Sequence, residues 1–139
     1  MILVDTNVLL DIVTNDPAWA DWSQHQVEAS GLRDRLAINP VIYAELSIGF
    51  RRIEEVDAIL SRVEISLVEI PRPALFLAGK VFRAYRKRGG SKTGVLPDFF
   101  IGAHASVLHV PLLTRDAARY RTYYPKVDLI APSRASEGR

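Results

Sequence analysis

Met1-Ile-Leu-Val-Asp-Thr-Asn-Val-Leu-Leu-Asp11 is the stretch that decides the fold of this chain. Its first four residues are apolar and run directly into Asp5, and an apolar run this short is typical of a buried strand. Val8, Leu9 and Leu10 then begin a helical pattern, so a turn from strand to helix is predicted at Asp5. In open α/β sheets, ligands bind at the carboxyl ends of the strands. We therefore expect Asp5 to lie at the ligand-binding edge of a central strand.

Short apolar runs alternate with helical patterns along the rest of the chain. This pattern predicts further strands at 36–38, 65–70, 110–113 and 127–130. It predicts helices at 18–30 (ended by Gly31), 41–50, 53–63, 74–88, 97–109 and 117–121. Strands that alternate with helices indicate an α/β sandwich with a largely parallel sheet. We expect residues 1–132 to form one domain and residues 133–139 to form a disordered tail.

The composition excludes several classes of protein. The chain has 139 residues, 48% of them hydrophobic, and no cysteine. It therefore has no disulfide framework, no thiolate metal site and no thiol nucleophile. No apolar stretch approaches the ~20 residues of a membrane-spanning helix, so no membrane partner is expected. The segment 1–4 lacks a basic residue and is too short for a signal peptide, so we expect a cytoplasmic location.

The formal net charge of +2 conceals an uneven distribution of charge. Residues 1–69 carry 12 acidic and 5 basic residues, whereas residues 70–139 carry 4 acidic and 13 basic ones. No acidic residue lies between Glu69 and Asp98, a segment rich in arginine and lysine. Such a surface attracts polyanions. The alternative, which a lone basic run favours, is a solvated helix face followed by a loop.

Two carboxylates occupy helix positions that need an explanation. Glu45 lies three and four positions after Ile42 and Val41 and hence on their face, where a carboxylate is costly unless it is paired or binds a metal. The alternative is a helix rotated so that Glu45 lies at the boundary. Asp98 begins the most apolar helix, and on its own this position favours an acid that stabilises a helix N-terminus. The functional alternative is a carboxylate that a buried helix delivers to a cleft.

Asp116 has the same setting as Asp5, because a short apolar strand, a threonine and then a helix surround both. Two parallel strands that end in this way place both acids at one edge of the sheet. The remaining acids of interest, which we predict to be on the surface, are Asp11, Asp16, Asp21, Asp34 and Asp57. No histidine has ligand spacing with the acids, and His104 is predicted to be a hydrogen-bonded core or interface residue. No glycine-rich loop precedes a helix, which argues against a nucleotide cofactor.

Four short motifs in this order resemble the PIN-domain family, and within it the VapC-type toxin ribonucleases of bacterial type II toxin–antitoxin modules. The motifs are Asp5-Thr6-Asn7, Glu45-Leu46, Leu96-Pro97-Asp98 and Leu113-Thr114-Arg115-Asp116. The resemblance implies a three-layer α/β/α sandwich with a central, mainly parallel sheet of four to five strands. It also implies a metal-dependent endoribonuclease. The family's catalytic and metal-binding acids carry over to an acidic quartet, Asp5, Glu45, Asp98 and Asp116, and its supporting polar residues to Thr6, Asn7 and Thr114. A cognate VapB-type antitoxin and a homodimer are the partners that the resemblance implies.

Chemistry at such an edge requires a counter-charge, because several carboxylates close together repel one another. Oxygen ligands without cysteine or a suitable histidine favour Mg²⁺ or Mn²⁺ over Zn²⁺. We expect the cation to activate a water for in-line attack on an RNA phosphodiester, leaving a 5′-phosphate and a 3′-hydroxyl. The candidates for contacts with RNA phosphates are Arg86, Lys87, Arg88, Lys92 and Arg115.

Two other classes of function remain open at this point. One is a noncatalytic module that keeps the PIN-like fold and binds RNA or a partner protein. The other is a Mg²⁺-dependent phosphotransfer or receiver-like protein, which a stable phospho-aspartate would reveal. An Asp98→Asn variant separates the enzyme from the module, because only the enzyme would lose an activity while it keeps its fold.

Overall fold

A five-stranded sheet, parallel throughout, forms the centre of the computed structural model, which describes residues 1–92 and 94–133. The strands are β1 (Ile2–Val4), β2 (Leu36–Ile38), β3 (Ile65–Leu67), β4 (Leu112–Leu113) and β5 (Leu129–Ile130). Their order across the sheet is β3-β2-β1-β4-β5. The predicted parallel sheet is therefore confirmed, although its last three strands are shorter than predicted.

Seven helices connect the strands within the described residues. They are α1 (Thr6–Val13), α2 (Ala20–Arg33), α3 (Pro40–Ser47), α4 (Ile53–Arg62), α5 (Arg72–Lys87), α6 (Leu96–Leu108) and α7 (Ala117–Arg121). The prediction that Gly31 ends the second helix is wrong. An interior glycine costs a helix only ~1 kcal/mol relative to alanine. The helix α2 continues to Arg33, and the N–H of the capping residue Asp34 donates to the Ser30 carbonyl at 3.0 Å.

Burial of the central strands shows that helices cover both faces of the sheet. Leu3 and Val4 point to opposite faces because side chains alternate along a strand, and both are completely buried. Leu112 and Leu113 in β4 are equally buried. Parallel strands covered on both sides become continuous apolar runs, which is the pattern seen in the sequence. The predicted three-layer α/β/α sandwich is thus confirmed.

The chain reverses its direction across the sheet between β1 and β4. From β1 it moves outward through β2 to β3, and then returns to the other side of β1 to form β4 and β5. Leu3 pairs with Leu112 and Val4 with Leu113, and the Asp5 N–H donates to the Leu113 carbonyl at 2.9 Å. The residues that follow both strands therefore meet at one topological switch point, the usual place for a ligand in an open α/β sheet.

A second apolar cluster fixes α6, the helix that carries Asp98. Ala74 and Ala78 of α5 pack against Phe99 and Ala103 of α6. Gly102 permits a close approach here, because a Cβ atom at this position would collide with the Tyr124 ring. The Tyr124 hydroxyl in turn donates to the Phe99 carbonyl at 2.7 Å. The start of α6 consequently packs against α5 and the ring of Tyr124.

Two further predictions concern the ends and the exterior of the chain. The predicted tail at 133–139 lies outside the described residues apart from Ser133. None of the described helices has both the length and the apolar character needed to cross a membrane.

Candidate active site

Asp5 is the centre of the site, and three parts of the chain donate hydrogen bonds to it. Its Oδ1 caps α1 by accepting the Thr6 N–H at 2.8 Å. Its Oδ2 accepts from three side chains, Thr114 Oγ1 at 2.8 Å, Tyr120 OH at 2.8 Å and Asn7 Nδ2 at 3.2 Å. Burial raises the pKa of Asp5, hydrogen bonds from Thr114, Tyr120 and Thr6 oppose that rise, and the charge of Glu45 adds to it.

Glu45 reaches the site from α3 through Thr6. The Thr6 hydroxyl donates to Glu45 Oε1 at 2.7 Å, which ties the β1–α1 turn to α3. Asn39 sets the start of α3, since its Oδ1 accepts the Ile42 N–H at 2.9 Å and Pro40 follows it. Glu45 is half-buried. Glu45 therefore lies at the boundary between the buried and the exposed faces of α3, as the alternative interpretation predicts. It nevertheless contacts the site through Thr6.

Asp116 joins the site through the amide of Asn7. Asn7 Nδ2 lies 3.4 Å from Asp116 Oδ2 and 3.4 Å from Thr114 Oγ1, in addition to its contact with Asp5. Asn7 Oδ1 accepts the Arg115 N–H at 3.1 Å, and the Asp116 N–H donates to Thr114 Oγ1 at 3.1 Å. One amide thus holds the carboxylates that follow β1 and β4 side by side.

Asp98 and Arg119 complete the group. Arg119 Nη1 lies 3.6 Å from Asp98 Oδ1, and Arg119 Nε lies 3.6 Å from Asp116 Oδ2. The pKa of Asp98 is raised to about 6, first by burial and further by the charges of the rest of the acidic quartet, while Arg119 opposes the rise. Each member of the quartet therefore contacts or electrostatically influences another member of it.

A cleft of about 500 Å³ opens at the switch point. Its polar lining consists of Asp5, Thr6, Asn7, Glu45, Arg115, Asp116 and Arg119. A second cleft, of about 720 Å³, lies at the amino end of β2 beside Asp34 and Leu36, away from the switch point. We place the candidate active site in the smaller cleft, because convergent polar groups with perturbed pKa values mark a site better than volume does.

The acidic quartet fits a hydrated divalent cation better than a closed cage of ligands. Among the described residues, no three acidic or histidine side chains are close enough together to hold a metal ion. Mg²⁺ does not need such a cage, since it usually keeps several waters and takes one or two carboxylates directly. The quartet brings four carboxylates together, and among the described residues Arg119 is the one cation that forms ion pairs with them. The oxygen donors and their unbalanced charge therefore suit Mg²⁺ or Mn²⁺.

The prediction that Asp11 lies on the surface is wrong. Asp11 is 2% exposed and accepts hydrogen bonds from Ser23 Oγ at 2.8 Å, Arg115 Nε at 2.9 Å and Arg115 Nη2 at 3.0 Å. A bidentate arginine compensates the burial of its charge. The other acids predicted to be on the surface are exposed, except that Asp16 is half-buried and its Oδ1 accepts the Ala18 and Trp19 N–H groups.

The candidates for RNA contacts fall into two groups. Arg115 is engaged with Asp11, and its guanidinium lies 5.5 Å from the centre of the Trp19 ring. The other four, Arg86, Lys87, Arg88 and Lys92, are exposed at the end of α5 and in the loop that leads to α6. The geometry thus gives Arg115 a structural contact and leaves the other four accessible to a polyanion.

His104 is buried as predicted, but its hydrogen bonding is incomplete. Its Nδ1 lies 3.2 Å from Asn39 Nδ2, whereas its Nε2 has no hydrogen-bond partner in the part of the chain that the structure describes. Burial lowers the pKa of His104, so the ring is kept neutral. It lies within the core and does not line the cleft.

Sequence reasoning missed two residues of the site, Arg119 and Tyr120. Arg119 lies three positions after Asp116 on a helix, which is a local spacing that indicates a contact between the two side chains. No local signal connects Tyr120 to Asp5, since 115 positions separate them.

Comparison with known proteins identifies the family. The PIN domain family model matches residues 2–123, so this chain belongs to the PIN domain family. No curated protein sequence matches the chain.

Several solved structures share the fold. VapBC2 from Rickettsia felis, bound to a DNA fragment from its promoter, is 19% identical over 96% of this chain and 100% of the matched chain, with a TM-score of 0.73. DNA-bound VapBC from Salmonella typhimurium is 18% identical over 94% of this chain and 96% of the other, with a TM-score of 0.69. FitAcB from Neisseria gonorrhoeae is 20% identical over 93% and 96%, respectively, with a TM-score of 0.63.

Proposed function

We propose that this chain is a metal-dependent endoribonuclease, the toxin of a type II toxin–antitoxin module that acts in the cytoplasm. The observation that carries the proposal is the grouping of the acidic quartet at the switch point of a PIN domain. Asp5, Glu45 and Asp116 line the cleft, and Asp98 is joined to it through Arg119. A module that only binds RNA has no need for mutually repelling carboxylates in a cleft. Burial and charge together raise the pKa of Asp98 to about 6, and such a shift is more typical of a functional site than of a surface.

The acidic quartet would hold Mg²⁺ or Mn²⁺ through one or two direct ligands, and the bound cation would supply an activated water and offset charge on the phosphoryl oxygens. The remaining carboxylates would accept hydrogen bonds from waters in the cleft. Tyr120 and Thr114 fix the orientation of the Asp5 carboxylate, and Thr6 fixes that of Glu45. One carboxylate would accept the proton of the attacking water. Because water attacks without help from the 2′-hydroxyl, no 2′,3′-cyclic phosphate would form. With O3′ as the leaving group, the products would carry a 5′-phosphate and a 3′-hydroxyl.

RNA would approach this acidic cleft with help from cations outside it. Arg86, Lys87, Arg88 and Lys92 are exposed along the route from α5 to the start of α6, where Asp98 lies. Arginine and lysine contacts to phosphates account for most of the affinity for a nucleic acid.

An antitoxin is the second partner that we propose. The solved structures with this fold include VapBC and FitAB assemblies and a toxin–antitoxin complex from Klebsiella pneumoniae. By analogy with these assemblies we propose a cognate VapB-type antitoxin, together with a homodimer of this chain. Co-expression with any small protein that a neighbouring reading frame encodes, followed by purification on a tag carried by this chain alone, tests the pairing. Isolation of this chain without a partner under those conditions would count against it.

The test of catalysis is RNA cleavage by purified protein with Mg²⁺, with Mn²⁺ and with a chelator. Wild type should cleave RNA with either metal, and Asp98→Asn should fold and bind RNA but not cleave. Asp21→Asn is the matched control, because Asp21 also lies in the first turn of a helix but is exposed in α2. Products with a 2′,3′-cyclic phosphate would overturn the mechanism. Absence of cleavage by wild type with any divalent cation would favour the noncatalytic module.

A further inference from the structure

Arg119 is a cation that lies between two carboxylates of the site. Its Nη1 is 3.6 Å from Asp98 Oδ1 and its Nε is 3.6 Å from Asp116 Oδ2. It also lines the cleft beside Asp5 and Glu45. In the described ranges, no other arginine or lysine makes an ion pair with the acidic quartet. Within the described residues, Arg119 therefore supplies the counter-charge that faces these two carboxylates.

The contacts of Arg119 are long, and its side chain is largely exposed. Charge-assisted hydrogen bonds are typically about 2.7–2.9 Å long, so the two contacts at 3.6 Å are electrostatic and loosely held. The Arg119 side chain is 55% exposed. Arg115, in contrast, makes two hydrogen bonds of 2.9 and 3.0 Å to the buried carboxylate of Asp11. The two arginines of the cleft thus differ in how tightly they are held. Arg115 is fixed by short hydrogen bonds, whereas Arg119 makes only long contacts.

We infer that Arg119 is a resident counter-cation, which competes with the divalent cation for Asp98 and Asp116 and is displaced when that cation binds. The inference rests on the proposed metal-dependent function. A guanidinium between two carboxylates occupies the space and the charge that a hydrated Mg²⁺ or Mn²⁺ requires, so both cannot hold the same oxygens. Arg119 also lowers the repulsion between Asp98 and Asp116, since its guanidinium lies 3.6 Å from an oxygen of each. The residue therefore sets the metal affinity of the site without being a ligand.

The first test measures the affinity for Mn²⁺ by the electron paramagnetic resonance signal of the free ion. Arg119→Gln should bind Mn²⁺ about tenfold more tightly than wild type, because the competing cation is gone. Arg121→Gln is the matched control. It removes the same charge from an exposed position on the same helix, two residues away and therefore on a different face. Arg121→Gln should bind Mn²⁺ about as tightly as wild type, within roughly twofold.

The second test follows the Nε–Hε signals of arginine by NMR in isotope-labelled wild type during addition of Mg²⁺. The Arg119 signal should shift and exchange faster with water as its two carboxylates are taken. The Arg115 signal should not move, because the partner of Arg115 is Asp11. This measurement uses the unaltered protein, so it does not depend on whether a variant folds.

The outcomes separate this inference from the proposed function. If wild type binds Mn²⁺ and Arg119→Gln binds it no more tightly, or if Arg121→Gln gains as much, the role of Arg119 is overturned and the proposed nuclease stands. An Arg119 signal that Mg²⁺ leaves unchanged while the metal binds has the same meaning. If neither wild type nor Arg119→Gln binds Mn²⁺, both the inference and the metal-dependent function are overturned.

Discussion

At the scale of single residues, the surroundings of Asp98 distinguish a carboxylate that belongs to an acidic site from one that only begins a helix. The N-terminus of a helix stabilises a negative charge and lowers a carboxyl pKa. The pKa of Asp98 is instead raised to about 6, because burial and the other acids outweigh the helix and Arg119. A role limited to stabilising the N-terminus of α6, which the sequence position of Asp98 alone favours, therefore does not account for its raised pKa.

Asp98 should make the metal-free protein less stable as the pH rises. A carboxyl whose folded-state pKa exceeds its ordinary value of 3.8 contributes stability below that value and loses it as the pH rises through about 6. Asp98→Asn should abolish this loss and exceed wild type in free energy of unfolding by up to about 3 kcal/mol near neutral pH. Urea unfolding across this pH range, with a chelator present, measures the difference.

Asp21→Asn is again the control for this prediction, because it removes an exposed acid from the first turn of a helix. It should destabilise the protein by about 0.3–1 kcal/mol near neutral pH, which is the opposite sign. Equal destabilisation by Asp98→Asn and Asp21→Asn would mean that Asp98 is an ordinary helix-terminal acid.

Tyr120 should affect both stability and catalysis through Asp5. Tyr120→Phe removes a buried hydroxyl that donates to Asp5 Oδ2 and should cost about 1 kcal/mol of stability. It should also reduce RNA cleavage, because the Asp5 carboxylate loses a donor that fixes its orientation. Tyr124→Phe removes a comparable buried hydrogen bond, to the Phe99 carbonyl, and should leave the cleavage rate of the folded protein unchanged. Equal cleavage rates for the two variants would remove Tyr120 from the site.

At the scale of elements, the site depends on how α1 and the turn after β4 are joined. Asn7 and Asp11 lie one helical turn apart on α1 and contact Arg115 at its N–H and its guanidinium. The period of the hydrophobic residues was sufficient to predict the helices and strands, since each requires only local sequence. It could not predict the pair of Asp11 and Arg115, which are 104 positions apart.

Arg115 should therefore contribute to the stability of the fold. Arg115→Ala leaves the charge of Asp11 buried and unpaired, and should lower the free energy of unfolding by about 3 kcal/mol. Arg115→Lys should restore only part of this loss, because an ammonium cannot form the bidentate contact. Arg88→Ala, at an exposed position, should change stability by less than about 0.5 kcal/mol. Urea unfolding of the three variants checks this; equal stability of Arg115→Ala and wild type would contradict the assignment.

Element ends were the least predictable part of the fold. The third strand is predicted at 65–70 but ends at Leu67, because its one neighbour, β2, ends at the paired residue Ile38. The fourth was predicted at 110–113 but comprises only Leu112 and Leu113. Proline lacks an N–H for the ladder, so Pro111 does not extend this strand toward its amino end. The carboxyl ends of β1 and β4, where the site lies, were placed correctly, because each apolar run stops there at a polar residue.

At the scale of the whole molecule, the strand order brings the residues of the site together. The basic surface at the end of α5 would attract RNA toward it. The quartet comes from four distant parts of the chain, which meet only because the sheet reverses between β1 and β4. The sequence indicated which acids were unusual, and the family resemblance grouped them. Neither could reveal that Arg119 lies among them.

The basic end of α5 should govern the salt dependence of RNA binding. Replacing Arg86, Lys87 and Arg88 by glutamine should lower the slope of log affinity against log salt by about 2, since each phosphate contact with a single strand contributes about 0.7. The control replaces three exposed cations near the amino end of the sheet, Arg33, Arg35 and Arg62, and should leave the slope unchanged. Filter binding without divalent metal, at several salt concentrations, gives the slopes. Identical slopes for the two triple variants would remove this surface from the RNA path.

Mapping of RNA ends after brief expression of wild type and Asp98→Asn in a bacterial host tests most directly that the acidic quartet forms a nuclease. Wild type should produce new 5′-monophosphate ends at defined positions, and Asp98→Asn, at equal protein level, should produce none. The same new ends with both proteins, or new 5′-hydroxyl ends with wild type, would contradict hydrolysis at this site.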